Sequence, residues 1–286
     1  MHETSVGTTI EENAHVRQKY AAEGYCVSPP LIGRARLNRA RTAVEAVIAG
    51  RYDTGVPPIY RNWSPGDPPR ALVKIDLPHL CNWDLQQLVA DPSIGAWAAG
   101  VLGANFLQLW ACELIYKFPD RARSKAEDQG VIGWHQDDNF WSHWDGEVLT
   151  LWLALVDVDA RMGPVRYVIG SHRWGAQENA CFFSETDLDT QRRLIDAPPG
   201  RSWREVAPTL QAGAVSMHHR MTIHGSERNR SGVARVGLAL HIRTEHARLL
   251  PTSEPPFHRP DPLDTHACPV LFGVAPQKAG GATWNV

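Results

Sequence analysis

Residues 233–242 read VARVGLALHI, and their alternation decides the fold. Side chains along an extended strand point to opposite faces in turn, so Arg235, Gly237, Ala239 and His241 share one face and Val236, Leu238, Leu240 and Ile242 the other. The apolar face is suited to pack against helices. The opposite face carries a guanidinium and two small residues that leave room for a ligand. A guanidinium turned into a protein interior requires an anion, and a carboxylate matches its planar fork. A buried ion pair with an Asp or Glu of the chain itself is the structural alternative.

The same alternation recurs upstream. In VLTLWLALVDV (148–158), Thr150, Trp152 and Ala154 oppose Leu149, Leu151, Leu153 and Leu155. Trp152 is placed to pack beside a ligand and Thr150 to donate a hydrogen bond to it; core packing alone is the alternative account of Trp152. Further short β-rich runs are NFLQLWACELIYKF (105–118), VRYVI (165–169) and GAVSMH (213–218), separated by turn-forming residues. Before residue 105 the pattern is mostly helical: 8–24, 34–50 with Leu37, Ala40, Val44 and Val47 at helical spacing, and 83–103. Tyr25–Val27 is a short strand candidate, and the Pro- and Gly-rich segment 51–72 reads as a long loop. The reading is a mainly β protein with flanking helices, arranged as a jelly roll: helical packing and covering region 1–104, core 105–242 and C-terminal extension 243–286.

Composition narrows the function. The 286 residues are 43% hydrophobic and 21% charged with net charge −2, which describes a globular protein with no electrostatic reason to bind nucleic acid. No apolar run reaches the roughly 18 residues of a membrane span, and the polar N-terminus is unlike a secretory signal. The five cysteines are scattered and never form a CxxC pair, which speaks against a disulfide framework and a thiolate zinc site and predicts a cytoplasmic protein. No Gly-x-Ser-x-Gly elbow or phosphate loop occurs, so hydrolase and NTPase readings lack their machinery. Thirteen histidines make a metal worth seeking.

GVIGWHQDDNFW (130–141) contains His135-x-Asp137. On a strand these two side chains point the same way and reach one ion. His224 in MTIHGSERN (221–229) is the best third ligand, with Gly225 and Ser226 turning the chain after it. Two neutral imidazoles and one carboxylate are a donor set for Fe(II) that leaves open positions for a keto acid and dioxygen. His218 and His219 are expected to be structural or surface residues. Asp138 and His143 are candidates for the substrate entrance.

Together these residues resemble the phytanoyl-CoA dioxygenase family of iron/2-oxoglutarate oxygenases. The resemblance is carried by Gln108, Lys117-Phe118-Pro119, Trp134-His135-Gln136-Asp137, Leu149-Thr150-Leu151-Trp152, Gly163-Pro164, Gly170-Ser171-His172-Arg173, His224-Gly225-Ser226, Asn229, Ser231 and Arg235. It covers about 105–242. It departs at Met162, Ile169 and Ala214, all at turns or strand ends. It implies a double-stranded β-helix, Fe(II) on His135, Asp137 and His224, and 2-oxoglutarate on Arg235, with Ser226, Trp152, Thr150, Gln108 and Lys117 in the same co-substrate group. Because Asp137 is kept, halogenation is not expected. The implied reaction is oxidation of a small molecule by dioxygen with 2-oxoglutarate as co-substrate, ending in hydroxylation, epimerisation, cyclisation or desaturation. A metal-dependent hydrolase or a non-catalytic cupin-like binder on the same three ligands is the alternative, and neither has a use for Arg235.

For the substrate, Phe140, Trp141 and Trp144 follow the HxD as an aromatic wall, suited to a largely apolar molecule such as a bacterial secondary metabolite; packing of this loop onto the barrel is the alternative use of the three rings. Asp76 and His79 are further pocket candidates. Arg121, Arg123 and Lys125 alternate with Glu127 and Asp128, a mixed charge that does not favour the phosphates of a CoA ester. Oligomeric state is not legible.

Overall fold

The computed structural model describes residues 10–120, 130–181, 187–251 and 260–274. Helices α1 (Ile10–Glu23), α2 (Arg34–Ile48), α3 (Trp83–Val89) and α4 (Pro92–Leu102) precede most of the strands, and α5 (Leu188–Leu194) lies late in the chain. The strands are β1 (Tyr25–Val27), β2 (Tyr60–Arg61), β3 (Leu72–Asp76), β4 (Phe106–Lys117), β5 (Ile132–His135), β6 (Trp144–Asp145) and β7 (Val148–Ala154). They continue as β8 (Val165–Val168), β9 (Glu205–Val206), β10 (Val215–His219), β11 (His224–Ser226), β12 (Arg235–Thr244), β13 (Arg248–Leu249) and β14 (Val270–Gly273).

These strands make a double-stranded β-helix with flanking helices. The larger sheet has the order β1-β10-β7-β12-β4-β3-β2, with β14 also on β4; the smaller is β5-β11-β8-β9, and β13 pairs β6 in a short ribbon. The segment before residue 105 thus adds β1, β2 and β3 to the large sheet besides its helices.

Alternation decides what each face of the large sheet meets. Leu149, Leu151, Leu153 and Leu155 of the β7 segment and Val236, Leu238, Leu240 and Ile242 of β12 join one core with Leu37, Ala40, Val44 and Val47 of α2. Burying each such leucine is worth about 1.5–3 kcal/mol, so this layer fixes which face is left for the site. The β4–β12 ladder shifts register between His241 and Ile242, whose partners are Ala111 and Leu109, and leaves Trp110 as the extra residue. A bulge of this kind reverses the inside–outside order of the strand beyond it. Leu107 and Leu109 before it, and Cys112 and Leu114 after it, therefore all face the helices.

Three local expectations are corrected. The stretch 83–103 is two helices, because Asp91 caps a new helix by accepting from Ser93 N and Pro92 stands at its first position. His224–Ser226 is a strand between β5 and β8 rather than a turn. Asp137 does not share a strand with His135: β5 ends at His135, and Asp137 opens a short 3-10 turn, Asp137–Phe140. Among the described residues no helix is long and apolar enough to cross a membrane.

Candidate active site

The pairing of β5 with β11 puts His135 directly opposite His224, with ring centroids 4.1 Å apart. Asp137 Oδ1 lies 3.8 Å from His135 Nε2 and 3.6 Å from His224 Nε2. One ligand atom from each of the three lies within 4.8 Å of the others, and all three residues are buried. Both rings are held by the same device. His135 Nδ1 donates to Gly133 O at 2.8 Å and His224 Nδ1 to Thr222 O at 2.9 Å. A carbonyl can only accept, so the proton of each neutral ring sits on Nδ1 and Nε2 carries the lone pair toward Asp137. Burial first, then the neighbouring His224 for His135 and His218 for His224, push both rings down to about 4. They are neutral at pH 7, the state a metal requires. Burial would raise Asp137, but His224 and the His218 hydrogen bond outweigh it and hold the carboxyl well below its usual range. The donor set fits a divalent transition ion such as Fe(II).

The second oxygen of Asp137 has its own partners. Oδ2 accepts from Thr150 Oγ1 at 2.7 Å and lies 3.1 Å from His218 Nε2. Thr150 has a single hydroxyl proton, so its expected donation to a co-substrate carboxylate is corrected: the proton is engaged on Asp137. His218 is no surface residue. It is buried, its ring centroid is 4.2 Å from that of His224, and it lines the same cavity.

Arg235 enters this cavity from β12, as its alternation predicts. It is 1% exposed, and among the described residues it has no carboxylate partner. Nη1 donates to Gly163 O at 2.7 Å, Nε has no partner, and the guanidinium carbon stacks 4.6 Å from the centre of the Trp152 ring. Gly163, at φ 63°, adopts the left-handed conformation that glycine tolerates best. Burial lowers Arg235 to about 10, so it remains a cation at pH 7. A buried cation that lines this cavity and, among the described residues, pairs with none of its carboxylates fits the distal carboxylate of 2-oxoglutarate.

The remaining co-substrate candidates divide. Trp152, Thr150 and Ser226 line the cavity. Lys117 does not: its ammonium donates to Ser226 Oγ and Glu227 O, both at 2.6 Å, and so ties β4 to β11 behind Ser226. Gln108 is corrected outright. Its amide nitrogen donates to Pro262 O (2.7 Å) and Cys268 O (2.8 Å), and its oxygen accepts from Arg243, fastening the C-terminal segment over β4.

On the substrate side, Asp76, Phe140 and Trp141 line a cavity of about 280 Å³. His79 and Trp144 do not. His79 is buried against Ala267 O at 2.9 Å, and Trp144 packs behind Trp110. His143 lines the cavity, while Asp138 pairs with Arg220. Sequence reasoning missed Trp110, Lys74 and Glu113. Lys74 Nζ lies 3.0 Å from Asp76 and 2.9 Å from Glu113. Burial pushes Glu113 up, but Lys74 beside it prevails and holds it down at about 2, whereas burial and Glu113 raise Asp76. The cavity lining thus combines an aromatic group with an ionic one. Arg121, Arg123, Lys125, Glu127 and Asp128 lie outside the described residues.

The sequence profile described as phytanoyl-CoA dioxygenase (PhyH) matches residues 20–237. A probable alpha-ketoglutarate-dependent hypophosphite dioxygenase of Stutzerimonas stutzeri is 25% identical over 177 residues, 59% of this chain. The match takes in 56% of that relative, so the chain spans little more than half of its length. Among solved structures, the non-heme alpha-ketoglutarate-dependent epimerase SnoN from nogalamycin biosynthesis superposes with TM-score 0.67 at 18% identity, over 92% of this chain and 100% of that one. The carbocyclase SnoK of the same biosynthesis gives TM-score 0.67 at 23% identity, over 93% and 100%. SnoN has also been solved with Fe3+, alpha-ketoglutarate and a nogalamycin compound. At these identities the structures establish a shared fold.

Proposed function

The chain belongs to the phytanoyl-CoA dioxygenase family of non-haem iron(II)- and 2-oxoglutarate-dependent dioxygenases, and on that premise we propose that it oxidises a small molecule with an apolar body, in bacterial secondary metabolism. The observation that carries this reading is Arg235, a buried cation that among the described residues has no carboxylate partner, in one cavity with His135, Asp137 and His224. In this assignment the three residues hold Fe(II) and Arg235 receives the distal carboxylate of 2-oxoglutarate, with Trp152 stacked beneath the guanidinium and Ser226 alongside. When bound, iron with 2-oxoglutarate and dioxygen supplies the oxidation of an unactivated C–H bond while the keto acid becomes succinate and carbon dioxide. The protein's part is to hold both imidazoles neutral and Asp137 ionised, orient the co-substrate and keep water from the reacting carbon. A hydrolase on the same ligands would leave Arg235 without a role.

The aromatic wall of Trp110, Phe140 and Trp141 suits an apolar ring system or chain. Lys74, Asp76 and Glu113 in the same lining suit one polar substituent, which would fix which carbon faces the metal. The proposed outcome is hydroxylation, epimerisation, cyclisation or desaturation; the proteins of similar fold include an epimerase and a carbocyclase. Five free thiols suit a reducing cytoplasm.

The test is iron content, an anaerobic charge-transfer absorption on adding 2-oxoglutarate, and succinate release stimulated by candidate substrates. His135→Ala, Asp137→Ala and His224→Ala are each expected to abolish all three signals. Normal turnover by any of them at saturating iron would overturn the assignment.

A further inference from the structure

The two oxygens of Asp137 face different surroundings. Oδ1 is turned to the Nε2 atoms of His135 and His224, at 3.8 and 3.6 Å. Oδ2 is turned to Thr150 and His218, at 2.7 and 3.1 Å. These two come from adjacent strands of the large sheet, and the β7–β10 register places Thr150 directly opposite His218, so their side chains converge on one oxygen.

The direction of each bond follows from counting protons. A carboxylate held ionised accepts only, so Thr150 gives its hydroxyl proton to Oδ2 and His218 presents Nε2–H. His241 Nδ1 lies 3.0 Å from the same Thr150 oxygen and must donate to it, since that hydroxyl has no second proton. Thr150 is therefore held from behind by His241 of β12. His218 and Thr150 are both buried, so neither bond competes with bulk water.

Building on the proposed function, we infer that His218 and Thr150 are positioning residues for the metal-binding carboxylate: they occupy Oδ2, so that Asp137 offers the ion Oδ1 alone. A carboxylate free to rotate would present both oxygens and take up a position that the co-substrate needs. Neither residue touches the reacting atoms in this assignment. The rival account is that the two bonds merely satisfy a buried carboxylate for folding. That account predicts altered stability and unaltered metal affinity.

The experiment measures Mn(II) binding, with Mn(II) as the probe for Fe(II), in folded protein well below its unfolding temperature. The variants are Thr150→Val, Thr150→Ser and His218→Phe. Loss of groups that orient a metal ligand weakens binding roughly ten- to a hundredfold, and that loss is expected in Thr150→Val and His218→Phe. Thr150→Ser, which keeps the hydroxyl, is expected to stay close to the unsubstituted protein. The anaerobic iron–2-oxoglutarate absorption should shift in the two weakened variants and not in Thr150→Ser. If His218→Phe does not fold, the contrast between Thr150→Val and Thr150→Ser decides. Unchanged Mn(II) affinity and absorption in the folded variants would overturn this inference alone. Failure of the unsubstituted protein to bind Mn(II) would remove the proposed function and this inference together.

Discussion

Gly237 lies against the edge of the Trp152 indole: a methyl group built on Gly237 would sit 2.1 Å from Cζ2. The two residues are on neighbouring strands, and Trp152 is the ring on which Arg235 stacks. Gly237→Ala must therefore push the indole off the guanidinium. Overpacking of this kind costs about 1–3 kcal/mol. The expected result is a lowered melting temperature together with a raised apparent constant for 2-oxoglutarate, read by thermal unfolding and by succinate release. An unchanged 2-oxoglutarate dependence would separate Trp152 from co-substrate binding.

Arg235→Gln removes the only charge proposed to face the distal carboxylate. Hydrogen bonds to charged groups are worth about 1.5–3 kcal/mol, so the apparent constant for 2-oxoglutarate should rise roughly ten- to a hundredfold. Since among the described residues Arg235 has no internal ion pair to break, stability should fall less than affinity. Equal 2-oxoglutarate dependence in mutant and parent would reassign Arg235 to a structural role.

Trp141 and Trp144 are both buried and both contact Trp110, but only Trp141 lines the cavity. Truncating either to Ala should cost about 3–5 kcal/mol of stability. Substrate-stimulated succinate release then distinguishes them, because Trp141→Ala should also weaken substrate binding at temperatures where both variants are folded. The same loss in Trp144→Ala would mean that the whole aromatic cluster shapes the wall.

His79 is fully buried, bonded through one ring nitrogen to Ala267 O, and pushed by that burial down to about 4. The unfolded chain takes up the proton near pH 6.5, before the folded form does. Protonation therefore favours unfolding as the pH falls from about 6.5 to about 4, by at most about 3 kcal/mol from this residue. His79→Gln should flatten that part of the stability–pH curve in metal-free protein, measured by denaturant unfolding. An unaltered slope would show that other histidines carry it.

The face assignments of β7 and β12 were legible from sequence because an uninterrupted strand has period two: once Leu149 or Leu238 is placed in a core, Trp152 and Arg235 must point the other way. The triad residues were legible as residue types in order, and Arg235 as a cation in need of an anion. Tertiary structure alone decided the rest. The bulge at Trp110 reverses the order along β4, so Glu113 reaches the cavity and Gln108 ends up under the C-terminal segment, which no pattern within 105–118 announces. His218 reads as one of two adjacent histidines until β10 docks on β7 opposite Thr150. Which oxygen of Asp137 is left for a metal depends on that docking, because a strand's own sequence dictates the direction of its side chains but not which strand lies beside it.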